Sequence, residues 1–188
     1  MMKDKIFDNK KSLMINEAYA FAEKKHIGQT RQNGTPYIHH PIQVVEVIKQ
    51  YFSNHPKIDE LMIAGYLHDT IEDTETTIDE IRLQFGHYVA HLVESVTNNE
   101  QLKQKMGKTN YLCDKMVNMD EDALNLKLCD RLANVLDLCH ASTTFAKKYK
   151  KETITIIQFL SNKKPMTDIQ KEIIKRIEKE LNDLQITK

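Results

Sequence analysis

The sequence predicts an all-α protein that folds as a compact single-domain bundle of helices. Only 5 glycines and 4 prolines occur among 188 residues, so few residues would interrupt long helices. Several segments place apolar residues at helical spacing, and none shows the convincing two-residue alternation of a strand. The length fits one domain of roughly 100–200 residues, so we predict a single domain over residues 1–188.

The first part of the chain predicts helices separated by glycine and proline. Residues 12–25 carry apolar side chains at helical spacing, with Ser12 as the N-cap. Residues 26–40 contain two glycines and a proline, which predicts a loop. Pro41 suits the first turn of a helix that continues through IQVVEVIKQYF. A mostly apolar helix is predicted over residues 59–71.

The rest of the chain continues the helical pattern. Thr77 is predicted to begin a helix that ends near Gly86. Residues 98–110 are polar and predict a loop, whereas residues 120–140 have the 3.6-residue period of a strongly amphipathic helix. The other predicted helices lie at 87–97, about 143–161 and about 167–186.

Composition restricts the partners that the protein can have. The chain has 27 basic (Lys and Arg) and 27 acidic residues, so its net charge is zero. Nucleic acids and membrane surfaces attract a basic excess, and we therefore expect neither as a partner. The start of the chain lacks an apolar signal-peptide core, and no stretch approaches the roughly 20 apolar residues of a membrane span. We expect a cytoplasmic protein whose Cys113, Cys129 and Cys139 are buried, reduced thiols, since no CxxC pair occurs.

A cluster of acidic residues and histidine follows an apolar run in the middle of the chain. His68 and Asp69 come directly after LMIAGYL, where a buried carboxylate is costly unless it is paired or bound to a metal. Glu72 and Asp73 follow at helical spacing, so all four side chains would share one side of a helix that continued through Asp73. A divalent cation would relieve the repulsion among the carboxylates, and mixed imidazole and carboxylate ligands suit an ion such as Mn²⁺.

A second polar pair lies in the amphipathic helix over residues 120–140. Asp130 and Asn134 are four residues apart among Leu and Ala, so Asp130 could supply a fourth ligand and Asn134 could bind a substrate. His39 or His40, at a predicted helix start, could complete the set, and spacing alone does not choose between them. Each feature taken singly also fits an ordinary solvated surface.

Four ordered motifs resemble a known family. They are HIGQTRQNGTPYIHHP at 26–41, LHDTIEDT at 67–74, FGHYVAHLVESVT at 85–97 and KLCDRLANV at 127–135. Together they resemble the HD hydrolase domain of the RelA/SpoT family, especially the free-standing small alarmone hydrolases that include the metazoan SpoT-like enzymes. The resemblance covers residues from about 16 to 140 and implies an HD-type helical fold, with C-terminal helices over about 143–186 beyond it.

The resemblance also implies roles for individual residues. It implies one Mn²⁺ ion held by His40, His68, Asp69 and Asp130, which selects His40 over His39. It associates Glu72 and Asp73 with hydrolysis, where our hypothesis is that they orient a water molecule and accept its proton. It implies that Arg31 packs against the guanine base and that Asn134 contacts the nucleotide.

The function implied by this resemblance is metal-dependent hydrolysis of the 3′-pyrophosphate of guanosine tetra- or pentaphosphate, with a small guanosine nucleotide as the partner. The chain has Gln32, Asn33 and Asp137 where many relatives have a basic residue, Ser and Thr. Two alternatives therefore stay open: an HD phosphatase acting on another nucleotide such as NADPH, and a domain that binds nucleotide without cleaving it. We expect a hydrolase without a synthetase domain.

Overall fold

The computed structural model describes residues 2–184, with side chains from residue 12 onward. Within this range the chain forms α-helices and one 3₁₀ turn, and no β-strand is present. The prediction of an all-α fold is therefore confirmed. No helix in the described range is long and apolar enough to span a membrane.

The chain divides into two compact units. The first contains the chain up to Gln29 together with Pro36–Thr97, and the second contains Thr30–Thr35 and the chain from Asn98 onward. The prediction that residues 1–188 form one domain stays a prediction. Helices of the first unit are α1 (Met2–Lys25), α2 (His39–Phe52), α3 (Ile58–Leu67), α4 (Thr70–Asp73), α5 (Ile78–Phe85) and α6 (His87–Val96). Those of the second are α7 (Glu100–Met106), α8 (Lys108–Asn118), α9 (Glu121–Leu136), a 3₁₀ turn (Asp137–His140), α10 (Thr143–Lys163) and α11 (Asp168–Asp183).

The first unit is built around α3, which packs against α1, α2 and α6. Gly65 makes the contact between α2 and α3 close, because a methyl group added to it would lie 2.8 Å from Cδ1 of Ile48 and 3.0 Å from Cγ2 of Val45. The helix α5 begins with a capping box between Thr77 and Glu80, which confirms the predicted helix start. These helices hold α2 and α3, whose ends carry the histidines of the candidate site.

The second unit is built around α9, nearly all of which is buried. Arg131 is buried there, and its Nη1 donates to the hydroxyl of Thr153 on α10 at 2.9 Å. The guanidinium group also lies 5.2 Å from the ring centre of Tyr149 and forms an ion pair with Glu152. A buried charge of this kind needs such partners, and this cluster joins α9 to α10.

Several predicted helix boundaries differ from the structure. α1 begins at Met2, so Ser12 lies within the helix and does not cap it. Residues 2–11 contain neither Gly nor Pro, so nothing in this stretch terminates a helix. The predicted loop over 98–110 contains α7, which Asn99 caps by accepting a hydrogen bond from the N–H of Leu102. None of the residues of α7 is buried, so the helix has no apolar face that the sequence pattern could reveal. The Asn99 cap was the sequence signal for this helix.

The expectation of three buried thiols is correct at two positions. Cys113 and Cys129 are buried, but Cys139 is exposed in the 3₁₀ turn. Burial raises the pKa of the Cys129 thiol well above its usual range, so this thiol stays protonated and unreactive. The apolar period of α9 ends at Leu136, so it does not extend to Cys139.

Candidate active site

The helix predicted over residues 59–71 is interrupted at its polar end. α3 ends at Leu67, His68 and Asp69 form a turn, and α4 begins at Thr70. The hydroxyl of Thr70 donates to the carbonyl oxygen of Leu67 at 2.7 Å, which satisfies a carbonyl at the end of α3. The supposition that one helix continues through Asp73 is therefore wrong, and the turn places His68 and Asp69 between two helices.

His68 is buried, and its hydrogen bonding determines which ring nitrogen can bind a ligand. Its Nδ1 lies 2.9 Å from the carbonyl oxygen of Gly65. Because a carbonyl only accepts hydrogen bonds, Nδ1 carries the proton and Nε2 has the lone pair. Nε2 lies 2.9 Å from Oδ2 of Asp69. Histidines that bind a metal through one ring nitrogen typically donate the N–H of the other ring nitrogen to a group such as a backbone carbonyl.

His40 approaches the same carboxylate from the first turn of α2. Its Nε2 lies 3.6 Å from Oδ2 of Asp69, and its ring centre lies 5.1 Å from that of His68. His40 is buried, whereas the neighbouring His39 is exposed. The structure thus brings His40, His68 and Asp69 together in the first unit. Two imidazoles and a carboxylate that converge in a mostly buried place are a donor set that fits a divalent metal ion.

Three residues of the first unit support this cluster, and their sequence pattern predicted a role for none of them. The hydroxyl of Tyr37 donates to Oδ2 of Asp69 at 2.5 Å, and the ring of His26 packs on the Tyr37 ring at 4.6 Å. His26 Nδ1 lies 2.8 Å from Oε1 of Gln29, whose Nε2 donates to the backbone carbonyl of Asp73 at 2.7 Å. No sequence signal identified them, because these contacts arise from the packing of the segment at 26–41 and no spacing rule predicts them.

Glu72 and Asp73 lie on α4, four residues after His68 and Asp69 respectively. Burial raises the pKa of the Asp73 carboxyl above its usual range, and the charges of Asp69 and Glu72 raise it further. Tyr37 and His26 act in the opposite direction without reversing the shift. A carboxylate whose pKa is raised accepts a proton more readily at neutral pH, which is what a general base requires.

The second unit contains the other predicted site residues. Asp130 is buried on α9, and its Oδ2 lies 2.9 Å from Nζ of the buried Lys127. The Nδ2 of Asn134 donates to Oδ1 of Asp130 at 2.6 Å, and the Oδ1 of Asn134 accepts from Nη2 of Arg31 at 3.3 Å. Arg31, Asn134 and Asp130 are thus joined in one hydrogen-bonded chain. Asp130 is not the ordinary surface residue that its sequence context also allowed.

Comparison with known proteins identifies the class. Residues 18–167 match the family model described as the HD domain, and the chain belongs to the HD-domain family. A solved structure of a metazoan ortholog of SpoT aligns with a TM-score of 0.74 and covers 90% of this chain and 94% of its own. Its sequence identity of 22% means that the likeness shows the fold alone. The predicted HD-type fold is confirmed, and this fold is one of metal-dependent phosphohydrolases, which implies a divalent metal.

Curated relatives narrow the position of the chain within the HD-domain family. It is 39% identical to the human guanosine-3′,5′-bis(diphosphate) 3′-pyrophosphohydrolase MESH1 over 126 residues, which are 65% of this chain and 68% of the relative. It is also 38% identical to a guanosine-3′,5′-bis(diphosphate) 3′-pyrophosphohydrolase of Aquifex aeolicus. The 161 aligned residues make up 85% of this chain and 23% of that relative. The chain spans about a fifth to a quarter of the longer curated relatives it matches, between 19% and 23% of their length. The predicted relationship to the SpoT-like hydrolases is confirmed.

Proposed function

We propose that this protein hydrolyses the 3′-pyrophosphate of guanosine tetra- and pentaphosphate. The observation that carries the proposal is the convergence of the buried His40 and His68 on the partly buried Asp69 in a chain of the HD-domain family. The substrate is taken from relatives named for this reaction, of which human MESH1 is matched over 68% of its length.

The metal site is part of the proposal. We assign His40, His68 and Asp69 of the first unit and Asp130 of the second as ligands of one divalent ion, with Mn²⁺ as the ion that this mixed donor set suits. Support comes from the protonated Nδ1 of His68, which leaves Nε2 able to bind a cation. When bound, the ion would act as a Lewis acid toward a phosphoryl oxygen and lower the pKa of a water molecule.

The proposed reaction uses Glu72 and Asp73 as the proton-accepting groups. They orient a water molecule and take its proton as its oxygen attacks the phosphorus attached to the 3′ oxygen. The bond between that phosphorus and the 3′ oxygen breaks, pyrophosphate leaves and the 3′ oxygen takes up a proton. GDP remains from the tetraphosphate and GTP from the pentaphosphate. The raised pKa of Asp73 supports its role as the stronger proton acceptor.

We assign substrate binding to Arg31 and Asn134. A planar guanidinium group stacks well on a purine, and an amide can bind the ribose or a nearby phosphate oxygen. The hydrogen bond from Arg31 to Asn134 supports a common role for the two residues.

We also propose that residues 1–188 act as one HD-type domain in the cytoplasm, without a nucleic-acid or membrane partner. The zero net charge and a family match that extends over residues 18–167 support this assignment.

A turnover assay on metal-stripped protein tests the function. Mn²⁺ is added back with guanosine tetraphosphate, and in parallel with NADPH or GMP, and the products are separated by anion-exchange chromatography. We expect GDP and pyrophosphate only when metal is present. Asp69→Ala should lose both metal binding and turnover, whereas Asp168→Asn, which changes an exposed carboxylate on α11, should lose neither.

The alternative outcomes separate the rival functions. Loss of phosphate from NADPH or GMP alone would mean that the metal chemistry is right and the substrate wrong. Binding of guanosine tetraphosphate without turnover would favour a non-catalytic nucleotide-binding domain. Full activity of Asp69→Ala would contradict the assigned metal site.

A further inference from the structure

Arg31 and Asp137 form a largely buried ion pair in the second unit. Nη2 of Arg31 lies 2.8 Å from Oδ2 of Asp137, and the two side chains are only 14% and 15% exposed. The same Nη2 donates to Oδ1 of Asn134 at 3.3 Å. One edge of the guanidinium group is therefore occupied by two acceptors supplied by the protein itself.

The backbone on each side of this pair is held in place. Arg31 lies on a turn that closes through two hydrogen bonds, from its own N–H to the carbonyl of Thr35 and from the N–H of Gly34 to the carbonyl of Arg31, both at 2.9 Å. Gly34 has a φ of 82°, a conformation that favours glycine. Asp137 follows α9 directly, and its N–H donates to the carbonyl of Ala133. The pair thus joins two ordered segments that are far apart in sequence.

Stability alone does not account for burying these two charges. Removing an Arg and an Asp from water costs about as much as their attraction returns, and apolar residues of similar size are often as stable. A buried pair is better explained by the geometry that it imposes. Here it directs the donors of Arg31 toward protein acceptors and restrains the plane of the guanidinium group.

The pair also changes what Arg31 can bind. A guanidinium group that is neutralised by a carboxylate is a weak ligand for phosphate, which requires free donors and an uncompensated charge. Its flat face can still stack on an aromatic base. We infer that Asp137 is a positioning residue that presents Arg31 as a stacking surface for the purine base and keeps it from acting as a phosphate anchor. This inference rests on the proposed function, in which Arg31 meets the base.

Binding measurements that need no turnover test this role. The titration uses the full protein loaded with Mn²⁺, with GDP and inorganic pyrophosphate as separate probes followed by calorimetry. Asp137→Asn keeps the side-chain size but removes the charge. We expect it to weaken GDP binding about tenfold, the scale of a lost stacking contact, without weakening pyrophosphate binding. Asp137→Glu, which restores the carboxylate, should recover most of the GDP affinity.

Kinetics and a double variant supply the readout that a merely structural residue would not give. The KM for guanosine tetraphosphate should rise about tenfold in Asp137→Asn while kcat stays within about twofold, because uniform binding is lost and the reacting groups are untouched. In an Arg31→Ala background, Asp137→Asn should add no further loss, since the two residues act as one unit. Asp168→Asn, the same change in an exposed ion pair of this unit, should alter none of these values.

Three results would overturn the inference. They are equal loss of GDP and pyrophosphate binding in Asp137→Asn, failure of Asp137→Glu to recover GDP affinity, and additive effects of the Arg31 and Asp137 substitutions. If the wild-type protein fails to hydrolyse guanosine tetraphosphate, the proposed function fails, while the GDP and pyrophosphate titrations still decide the role of Asp137.

Discussion

The hydroxyl of Tyr37 donates a hydrogen bond to Oδ2 of Asp69 over a distance of 2.5 Å. This oxygen also faces Nε2 of His68 and Nε2 of His40. Tyr37 therefore orients the carboxylate that the proposed metal site depends on, and its hydroxyl group also lowers the pKa of Asp73. A residue whose role the sequence did not predict thus connects the proposed ligand to the proposed base.

Tyr37→Phe should weaken metal binding while leaving the fold intact. Losing a hydrogen bond from a residue that supports a ligand commonly lowers metal affinity by about 10–100-fold. Competition with a chromogenic chelator measures the affinity for Mn²⁺ directly, without reference to activity. Tyr19→Phe is the matched control, because the Tyr19 hydroxyl bonds to the exposed Glu23. Unchanged Mn²⁺ affinity in Tyr37→Phe would exclude the supporting role.

Asp130→Asn should weaken Mn²⁺ binding about as strongly as Asp69→Asn, if both carboxylates are ligands. An amide oxygen carries no charge and is a poorer ligand for a divalent cation than a carboxylate. The same chelator competition measures both variants. Because Asp130 is buried next to Lys127, circular dichroism should accompany the measurement to verify that the variant folds. Normal Mn²⁺ affinity in folded Asp130→Asn would restrict the ligand set to the first unit.

Gly65→Ala should destabilise the protein although alanine favours helices. The added methyl group would lie 2.8 Å from Cδ1 of Ile48 and 3.0 Å from Cγ2 of Val45, so these buried side chains, or the helices that carry them, must shift. Overpacking of this kind costs about 1–3 kcal/mol, more than the 0.5–1 kcal/mol that alanine gains over glycine in a helix. Thermal unfolding should show a lower Tm for Gly65→Ala. Ser161→Ala, on the exposed face of α10, should leave the Tm unchanged. An unchanged Tm would mean that the contact between α2 and α3 accommodates the methyl group without cost.

Asp73→Asn should lose activity and gain stability. Removing a general base typically lowers the rate by about 10²–10⁴-fold. The pKa of Asp73 is raised by burial, so its charged form is disfavoured in the folded state and destabilises the protein at neutral pH. The gain in Tm from Asp73→Asn, measured on metal-free protein, should therefore be present at pH 7. It should shrink as the pH falls through the pKa of Asp73, where the wild-type carboxyl becomes neutral.

Two controls sharpen the test of Asp73. Asp168→Asn should show no gain in Tm at pH 7, because neighbouring Lys171 lowers the pKa of Asp168 and favours its charged form. A gain for Asp73→Asn that does not depend on pH would indicate a packing effect and not a charge effect. Full turnover in Asp73→Asn would remove this residue from catalysis.

The sequence by itself determined the helical class and the family. Apolar residues at the 3.6-residue period, with few glycines and prolines, are sufficient for helices because each helix must bury one face. The Thr77 cap was also readable, since capping depends on residues within one turn. Four ordered motifs identified the HD-type fold that the family comparison confirms. These properties are local, or depend only on the order of residues along the chain.

Other features were decided only by the tertiary structure. Spacing did not choose between His39 and His40, whereas packing buries His40 beside Asp69 and leaves His39 exposed. The interruption between α3 and α4 depends on a Thr70 hydroxyl bonding to a carbonyl. The pair of Arg31 and Asp137 joins residues 106 positions apart, and no periodicity relates such positions. Burial, side-chain pairing and pKa depend on which segments pack together, and this is a property of the fold that local patterns do not contain.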